Sequence, residues 1–430
     1  MKDGGRLSAA IEVLTEVETR HRPVQLALRD WGTAHRFAGS GDRTVIGNLV
    51  FDALRHRGSL TERLGRDDPR MAVIATYVLT WDQGIDGFKA AVEADRHAPE
   101  PLSAEEEAAL EAAREAQATG AAAADVPAWL WPSFEAVFAD QAVAEGQALA
   151  ARAPIDLRAN TLKSDREKLL KKLAHVSAGA TPLSPNGLRI FAKPGAARMP
   201  HVQAEEGYQK GWFELQDEGS QLVAALGLAR PGQQVLDFCA GGGGKTLALA
   251  ASMENKGQIF AYDAERLRLA PIHERLKRAG VRNVQVRDPA SSRLDELEGA
   301  MDLVFVDAPC TGTGVWRRRP DSKWKLTDKA LADRLDDQRK VLDAAAAYVK
   351  PGGRLVYVTC SVLPQENSEQ ITAFLERHDD FGAGSAAAAW SAALPGVALP
   401  RYVNERGDVL LTPASTGTDG FFAAVLQRRA

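Results

Sequence analysis

The sequence predicts a multidomain α and α/β protein: a helical N-terminal domain, a small α/β subdomain and a Rossmann-like domain built on a parallel sheet. Three observations predict it. Apolar residues in the first hundred positions recur at helical spacing, short apolar strands alternate with helical stretches from about residue 221, and those strands end in acidic or thiol residues. A chain of 430 residues is too long for one ordinary domain, and 45 % hydrophobic content can fill more than one core.

In chain order, Ile11, Leu14 and Val17 share one helical face, as do Ile46, Leu49, Val50 and Leu54, and then Val73, Ile74, Tyr77 and Val78. Ser103 followed by Glu106 is the signature of a capping box opening an acidic helix. Gln117 to Ala128, with glycine and an alanine tract, reads as a linker that closes a first domain over residues 1–128. A helix from Ser133 to Arg152, a strand at Ile155 to Asn160 and a basic helix from Ser164 to His175 make a second segment over 129–220. The third domain, 221–430, carries strands at 234–238, 258–262, 283–286, 303–306 and 355–358, with antiparallel strands within 401–412 and 420–426.

Composition narrows the classes. No apolar run reaches the roughly 18 to 20 residues of a membrane span, and the opening MKDGGRLSAA lacks the blocks of a signal peptide, so a cytoplasmic protein with no membrane partner is expected. The cysteines Cys239, Cys310 and Cys360 form no C-x-x-C pair, so no metal is expected. A net charge of −4 does not advertise nucleic-acid binding, but Arg317, Arg318, Arg319, Lys323 and Lys325 crowd one segment.

Four glycines, Gly241 to Gly244, stand between a buried strand and a helix, where backbone amides can approach a nucleotide or adenosyl cofactor closely. A P-loop fails, because Cys239 occupies the place of its first glycine. Asp263, closing the next strand, suits the two hydroxyls of a ribose, although such an acid can also simply cap a helix. Asp307-Ala-Pro-Cys310 and Thr359-Cys360-Ser361 end two further strands. Cysteines there are often just small buried hydrophobes. Two at one crevice fit a different chemistry, in which a thiolate adds to carbon 6 of a cytosine and makes carbon 5 nucleophilic. Asp307 would neutralise charge on the ring, and the second thiol would assist release.

Taken together, the glycine loop, Asp-Ala-Pro-Cys, Thr-Cys-Ser and Gln365-Glu366-Asn367 resemble the Nop/Sun RNA cytosine-5 methyltransferases, over essentially the whole chain. The resemblance implies a NusB-like helical domain, a small RNA-binding subdomain and a class I methyltransferase domain using S-adenosylmethionine. It implies Cys360 as nucleophile, Cys310 in product release, and cofactor contacts from Cys239, Ala240, Gly241, Gly242, Gly243, Gly244, Lys245, Asp263, Asp288 and Asp307. The family loop commonly reads Cys-Ala-Ala-Pro-Gly-Gly-Lys, whereas this chain has glycine at 241 and 242, so a more mobile loop is expected. Asp288-Pro289 also reads as the start of a turn. Arg317, Arg318, Arg319, Lys323 and Trp324 mix phosphate-seeking charge with an aromatic ring, and RNA contact is expected of them beside the alternative of a solvated loop. The expected partner is RNA, 16S rRNA in particular, met by a monomer. The same chemistry on transfer RNA or large-subunit rRNA, or a non-catalytic RNA-binding assembly factor, are the competing readings.

Overall fold

Helical periodicity in the first part of the chain is realised as a run of helices, among them Asp3–Thr19, Ser40–Arg55, Pro69–Ala75 and Ala104–Glu115. The computed structural model describes residues 1–290 and 294–430. Leu14, Val17, Ile46, Leu49, Val50, Leu54, Val73 and Ile74 all enter one buried cluster, so the apolar stripes were core faces. The capping box forms as spelled: the Glu106 amide donates to Ser103 Oγ at 3.1 Å and the Ser103 amide to Glu106 Oε2 at 3.0 Å. The expected helix over 133–152 is instead two, Trp131–Phe138 and Ala142–Ala150, parted where Ala139 takes a positive φ of 48°.

Compaction groups Met1–Arg152, Ala192–Met199 and Trp316–Lys325 into one unit and the rest of the chain into a second. The helical unit therefore runs past the expected boundary at 128 and takes in a segment far away in sequence. That segment overturns part of the expected RNA contact. Lys323 is 1 % exposed, donates its ammonium to the Arg55 carbonyl at 3.0 Å, and is pushed by burial down to a pKa of about 7. Arg317 is 5 % exposed and its carbonyl accepts from Arg55 Nη1 at 2.6 Å; Trp324 gives its indole N–H to the Leu54 carbonyl, also at 2.6 Å. Trp316, fully buried, stacks on Phe134 with centroids 5.9 Å apart. Side chains so committed cannot reach a phosphate; within the run, Arg319 is exposed and Arg318 half-buried.

The second unit holds two sheets. Strands β1 (Ile155–Ala159), β2 (Gly179–Ala180), β3 (Gly187–Ile190) and β4 (Phe213–Leu215) form a small antiparallel sheet in the order β2-β3-β1-β4. The large sheet comprises β5 (Gln234–Asp237), β6 (Gln258–Tyr262), β7 (Val284–Arg287), β8 (Met301–Asp307), β9 (Val349–Thr359), β10 (Phe381–Ala383), β11 (Tyr402–Val403), β12 (Val409–Leu411) and β13 (Phe421–Arg428). Its order is β11-β12-β13-β9-β8-β5-β6-β7, with β10 paired to β13. From β7 to β9 all neighbours are parallel, and β13 runs against β9. The chain leaves β5 first toward β6 and β7, then returns to its other side with β8 and β9, so the strand order reverses at β5. Ligands of such sheets sit at that reversal, beyond the carboxyl ends of the strands. Val235, Ile259, Leu303, Phe305, Val356 and Val358, all wholly buried, hold the sheet to its covering helices.

The small sheet is fastened to the helix Glu218–Ala225, which leads into the large sheet, by buried charge. Arg189 makes two 2.7 Å bonds to the Asp156 carboxylate, and Glu218 Oε1 accepts the amides of Leu183 and Ser184 at 2.8 and 2.7 Å. Removing one partner of such a group strands the other in low dielectric, a loss of about 3–5 kcal/mol.

Candidate active site

Asp237, Asp263, Asp307 and Cys360 stand at or just past the carboxyl ends of β5, β6, β8 and β9, so parallel pairing alone brings them to one edge of the sheet. The glycine loop starts after β5 and opens the helix Gly244–Ser252. Gly243 has φ +80°, and a Cβ there would lie 2.5 Å from Ile272, so this position needs glycine on both counts. The loop is held from outside as well. Arg275 Nη1 donates to the Gly242 carbonyl at 2.7 Å, and the Gln216 amide reaches the Gly244 carbonyl at 3.3 Å. Gln216 lies in the segment Gln216-Asp-Glu-Gly-Ser-Gln221, whose side chains tie the small sheet, the helix Glu218–Ala225 and the glycine loop together.

Asp263 is buried, with Oδ2 accepting the Gly241 amide and Oδ1 the Glu265 amide, both at 2.9 Å. Each oxygen retains a lone pair for a hydroxyl. Asp237 is wholly buried; Thr246 donates to its Oδ2 at 2.6 Å, while Oδ1 has no protein partner. Burial, with the charges of Asp307 and Asp263 adding to it, raises this carboxyl to about 7. A half-satisfied acid under a glycine loop, beside a second acid with lone pairs to spare, is a donor set that fits the hydroxyls and amine of an adenosyl amino acid. Asp288, by contrast, is only half-buried, and its near groups are the Ala290 amide at 2.9 Å and Arg266 at 3.9 Å.

The third acid is tied to the loop. Lys245 Nζ meets Asp307 Oδ2 at 2.5 Å, which takes one oxygen of Asp307 and joins the cofactor side to the strand that carries Cys310. With Oδ2 so engaged, Asp307 has its other oxygen left to accept a hydrogen bond from a base.

The three thiols separate by environment. Cys239 is pushed well up by burial and then by the surrounding carboxylates Asp263, Asp237 and Asp307, which makes it a poor nucleophile. Cys310 and Cys360 have their sulfurs 3.3 Å apart. Cys310 is raised well above its ordinary range, first by its hydrogen bond with Cys360 and then by burial. Cys310 is therefore held as a thiol, and either sulfur of the pair can donate to the other.

Two residues named in the motif but given no role turn out to frame this pair. Glu366 is fully buried, and its carboxylate accepts the Thr311 amide at 2.8 Å, the Thr311 hydroxyl at 2.5 Å and Gln338 Nε2 at 2.9 Å, fixing the loop after Cys310. Asn367 accepts from Thr359 Oγ1 at 2.6 Å and donates to the Ser361 carbonyl at 2.9 Å, clamping both neighbours of Cys360. The two loops are then laced to each other: the Gly314 amide donates to the Cys360 carbonyl at 2.9 Å, and Thr313 and Ser361 share a 2.9 Å hydroxyl contact. Gly314 must be glycine, since a Cβ would lie 2.2 Å from the Gly420 carbonyl oxygen.

Sheet order, glycine loop and acidic strand ends define a Rossmann-like methyltransferase, the class whose cofactor is S-adenosylmethionine. Residues 225–427 match the family described as 16S rRNA methyltransferase RsmB/F, and residues 126–195 match the ferredoxin-like domain of RsmF/B-like methyltransferases. Residues 225–427 are thus a domain of this RsmB/F methyltransferase family. It is 33 % identical over 306 residues to "Ribosomal RNA small subunit methyltransferase B" of Citrobacter koseri, an alignment covering 70 % of this chain and 66 % of that protein. The chain thus spans just under two thirds of the length of the curated relative. Among solved structures, a methyltransferase homolog protein from Pyrococcus horikoshii is 26 % identical with TM-score 0.58, covering 70 % of this chain and 94 % of that one. NSun6 from Pyrococcus horikoshii with SFG, at 22 % identity and TM-score 0.60 over 71 % and 98 %, shares the fold.

The cofactor side has a direct test. Asp263→Ala removes an acceptor for ligand hydroxyls and releases the Gly241 amide, so calorimetric titration with S-adenosylmethionine should give binding weaker by about 1.5–3 kcal/mol, the scale of charge-assisted hydrogen bonds. An unchanged dissociation constant would move the ribose contact elsewhere.

Proposed function

We propose that this protein methylates carbon 5 of a cytosine in RNA, with small-subunit ribosomal RNA as the substrate. The observation that carries the reading is the pair of sulfurs 3.3 Å apart, one following an Asp-Ala-Pro and the other within Thr-Cys-Ser, at the edge that bears the glycine loop. The RsmB/F match of residues 225–427 and the name of the Citrobacter koseri relative support the choice of RNA.

Cys360 adds through sulfur to carbon 6 of the base, which turns carbon 5 into an enamine-like nucleophile. S-adenosylmethionine supplies, when bound, the electrophilic methyl group. Asp263 and the loop Cys239 to Gly244 would hold it, with Lys245 and Asp307 linking that side to the base. Asp307, with Oδ2 engaged by Lys245, offers its other oxygen to the amino edge of the cytosine. The carbon 5 proton must then leave and the carbon 6 to sulfur bond break, the electron pair returning to Cys360. Cys310 gives its S–H proton to the departing Cys360 sulfur and, as the thiolate so formed, takes the proton from carbon 5, ending as a thiol again. The helical unit, NusB-like by resemblance, and the small sheet address the RNA, with the exposed Arg319 placed for phosphate.

Bisulfite sequencing of total RNA from cells with and without the gene tests the whole reading. One cytosine of small-subunit rRNA should lose its resistance to conversion in the deletion strain. Loss confined to a transfer RNA or the large subunit would change the substrate and keep the chemistry; no lost site would sink the activity.

A further inference from the structure

With Arg317, Lys323 and Trp324 consumed by packing, the grip on RNA has to be sought on other surfaces. In the small-sheet module, Trp212 is half-buried and three lysines gather over its ring: Lys168 Nζ at 4.5 Å from the centroid, Lys172 at 5.2 Å and Lys210 at 5.3 Å. All three ammonium groups are exposed. Lys210 pairs with Glu206, while Lys168 and Lys172 form no ion pair with a carboxylate among the described residues. One indole face is enough for one cation. Lys168 and Lys172, four residues apart on the helix Arg166–Lys172, repel each other, and the nearby charge of Glu206 is shared between Lys172 and Lys210. Such an arrangement becomes favourable when polyanion and ring stack arrive together.

The position suits the same substrate. Trp212 immediately precedes β4, and Gln216, just past the other end of that strand, contacts the glycine loop at Gly244. Four residues of extended chain at about 3.3 Å each separate the Trp212 and Gln216 backbones by roughly 13 Å. The Trp212 end is fixed, since Asn160 Nδ2 donates to the carbonyls of Gly211 and Ala279 at 2.8 Å each.

We infer that Trp212, Lys168, Lys172 and Lys210 form a binding surface for a single-stranded stretch of RNA a few nucleotides from the base that is methylated. One base stacks on the exposed part of the indole, and the lysines take the flanking phosphates. The inference rests on the RNA reading given above.

The test is fluorescence anisotropy with a labelled single-stranded oligoribonucleotide, and with its duplex as a second probe. Trp212→Ala should weaken single-strand binding about five- to hundredfold, the range for one lost base stack, and leave the duplex unaffected. The double variant Lys168→Glu, Lys172→Glu changes exposed positions only; it should also weaken binding and reduce the slope of log affinity against log salt by about 1.4, two single-strand phosphate contacts at about 0.7 each. Titration with S-adenosylmethionine should be unchanged in every variant, which separates lost contact from lost fold. Wild-type RNA affinity retained by both variants overturns the surface and leaves the methyltransferase reading intact. Equal losses on single strand and duplex in Trp212→Ala overturn the stacking. Failure of the wild type to bind any RNA overturns the surface together with the reading beneath it.

Discussion

Cys360→Ala should lose methyl transfer altogether while its affinity for S-adenosylmethionine changes by no more than a few fold. The sulfur faces Cys310 and not the cofactor acids, and the Asn367 clamp holds Thr359 and Ser361 whatever side chain lies between them. Without a sulfur to add at carbon 6, carbon 5 keeps its aromatic character and cannot attack a methyl group; the nucleophile has no understudy, since Cys239 is held protonated among three acids. Transfer of labelled methyl groups to RNA, read against a calorimetric titration, separates the two effects. Turnover at the normal rate would sink the nucleophile assignment, and a lost cofactor affinity would reassign the residue to the cofactor side.

Cys310→Ala should do the opposite of silencing the site: it should trap the enzyme on its substrate. Attack by Cys360 and methyl transfer do not require Cys310, whereas release requires the carbon 5 proton to leave and a thiolate to be expelled next to it. Removing the thiol whose hydrogen bond receives that thiolate slows the exit alone, so the covalent protein–RNA adduct accumulates. A denaturing gel of enzyme incubated with labelled RNA and S-adenosylmethionine should show a slow-migrating band for Cys310→Ala, none for Cys360→Ala and none for the double variant. A band from Cys360→Ala would exchange the two roles. No band from either would put the covalent route itself in doubt.

The chemistry-bearing positions were legible because they are written locally. Strand periodicity placed Asp263, Asp307 and Cys360 at strand ends, and parallel pairing brings such ends together without further information. The run of four glycines and the capping box at Ser103 likewise depend on residues within a few positions of each other. The break at Ala139 was not legible, because nothing in that alanine-rich stretch signals a positive φ.

What depended on partners far apart in sequence was decided by the tertiary structure. Arg317-Arg-Arg-Pro-Asp-Ser-Lys-Trp324 reads as a phosphate-seeking loop by its composition, but a lysine's role is set by its surroundings, and those of Lys323 are the Arg55 carbonyl and two tryptophans. The stretches Lys168–Lys172 and Lys210–Trp212 are unremarkable separately; only folding of the small sheet sets the charges of one over the ring of the other. The sequence by itself determined the fold class, the glycine loop and the placing of two cysteines at strand ends, because hydrophobic period and strand-end chemistry are short-range properties. The tertiary structure alone decided which thiol is held protonated, that Glu366 and Asn367 frame them, and which basic residues are free to meet RNA, because burial and charge pairing belong to groups that the chain brings together from hundreds of residues apart.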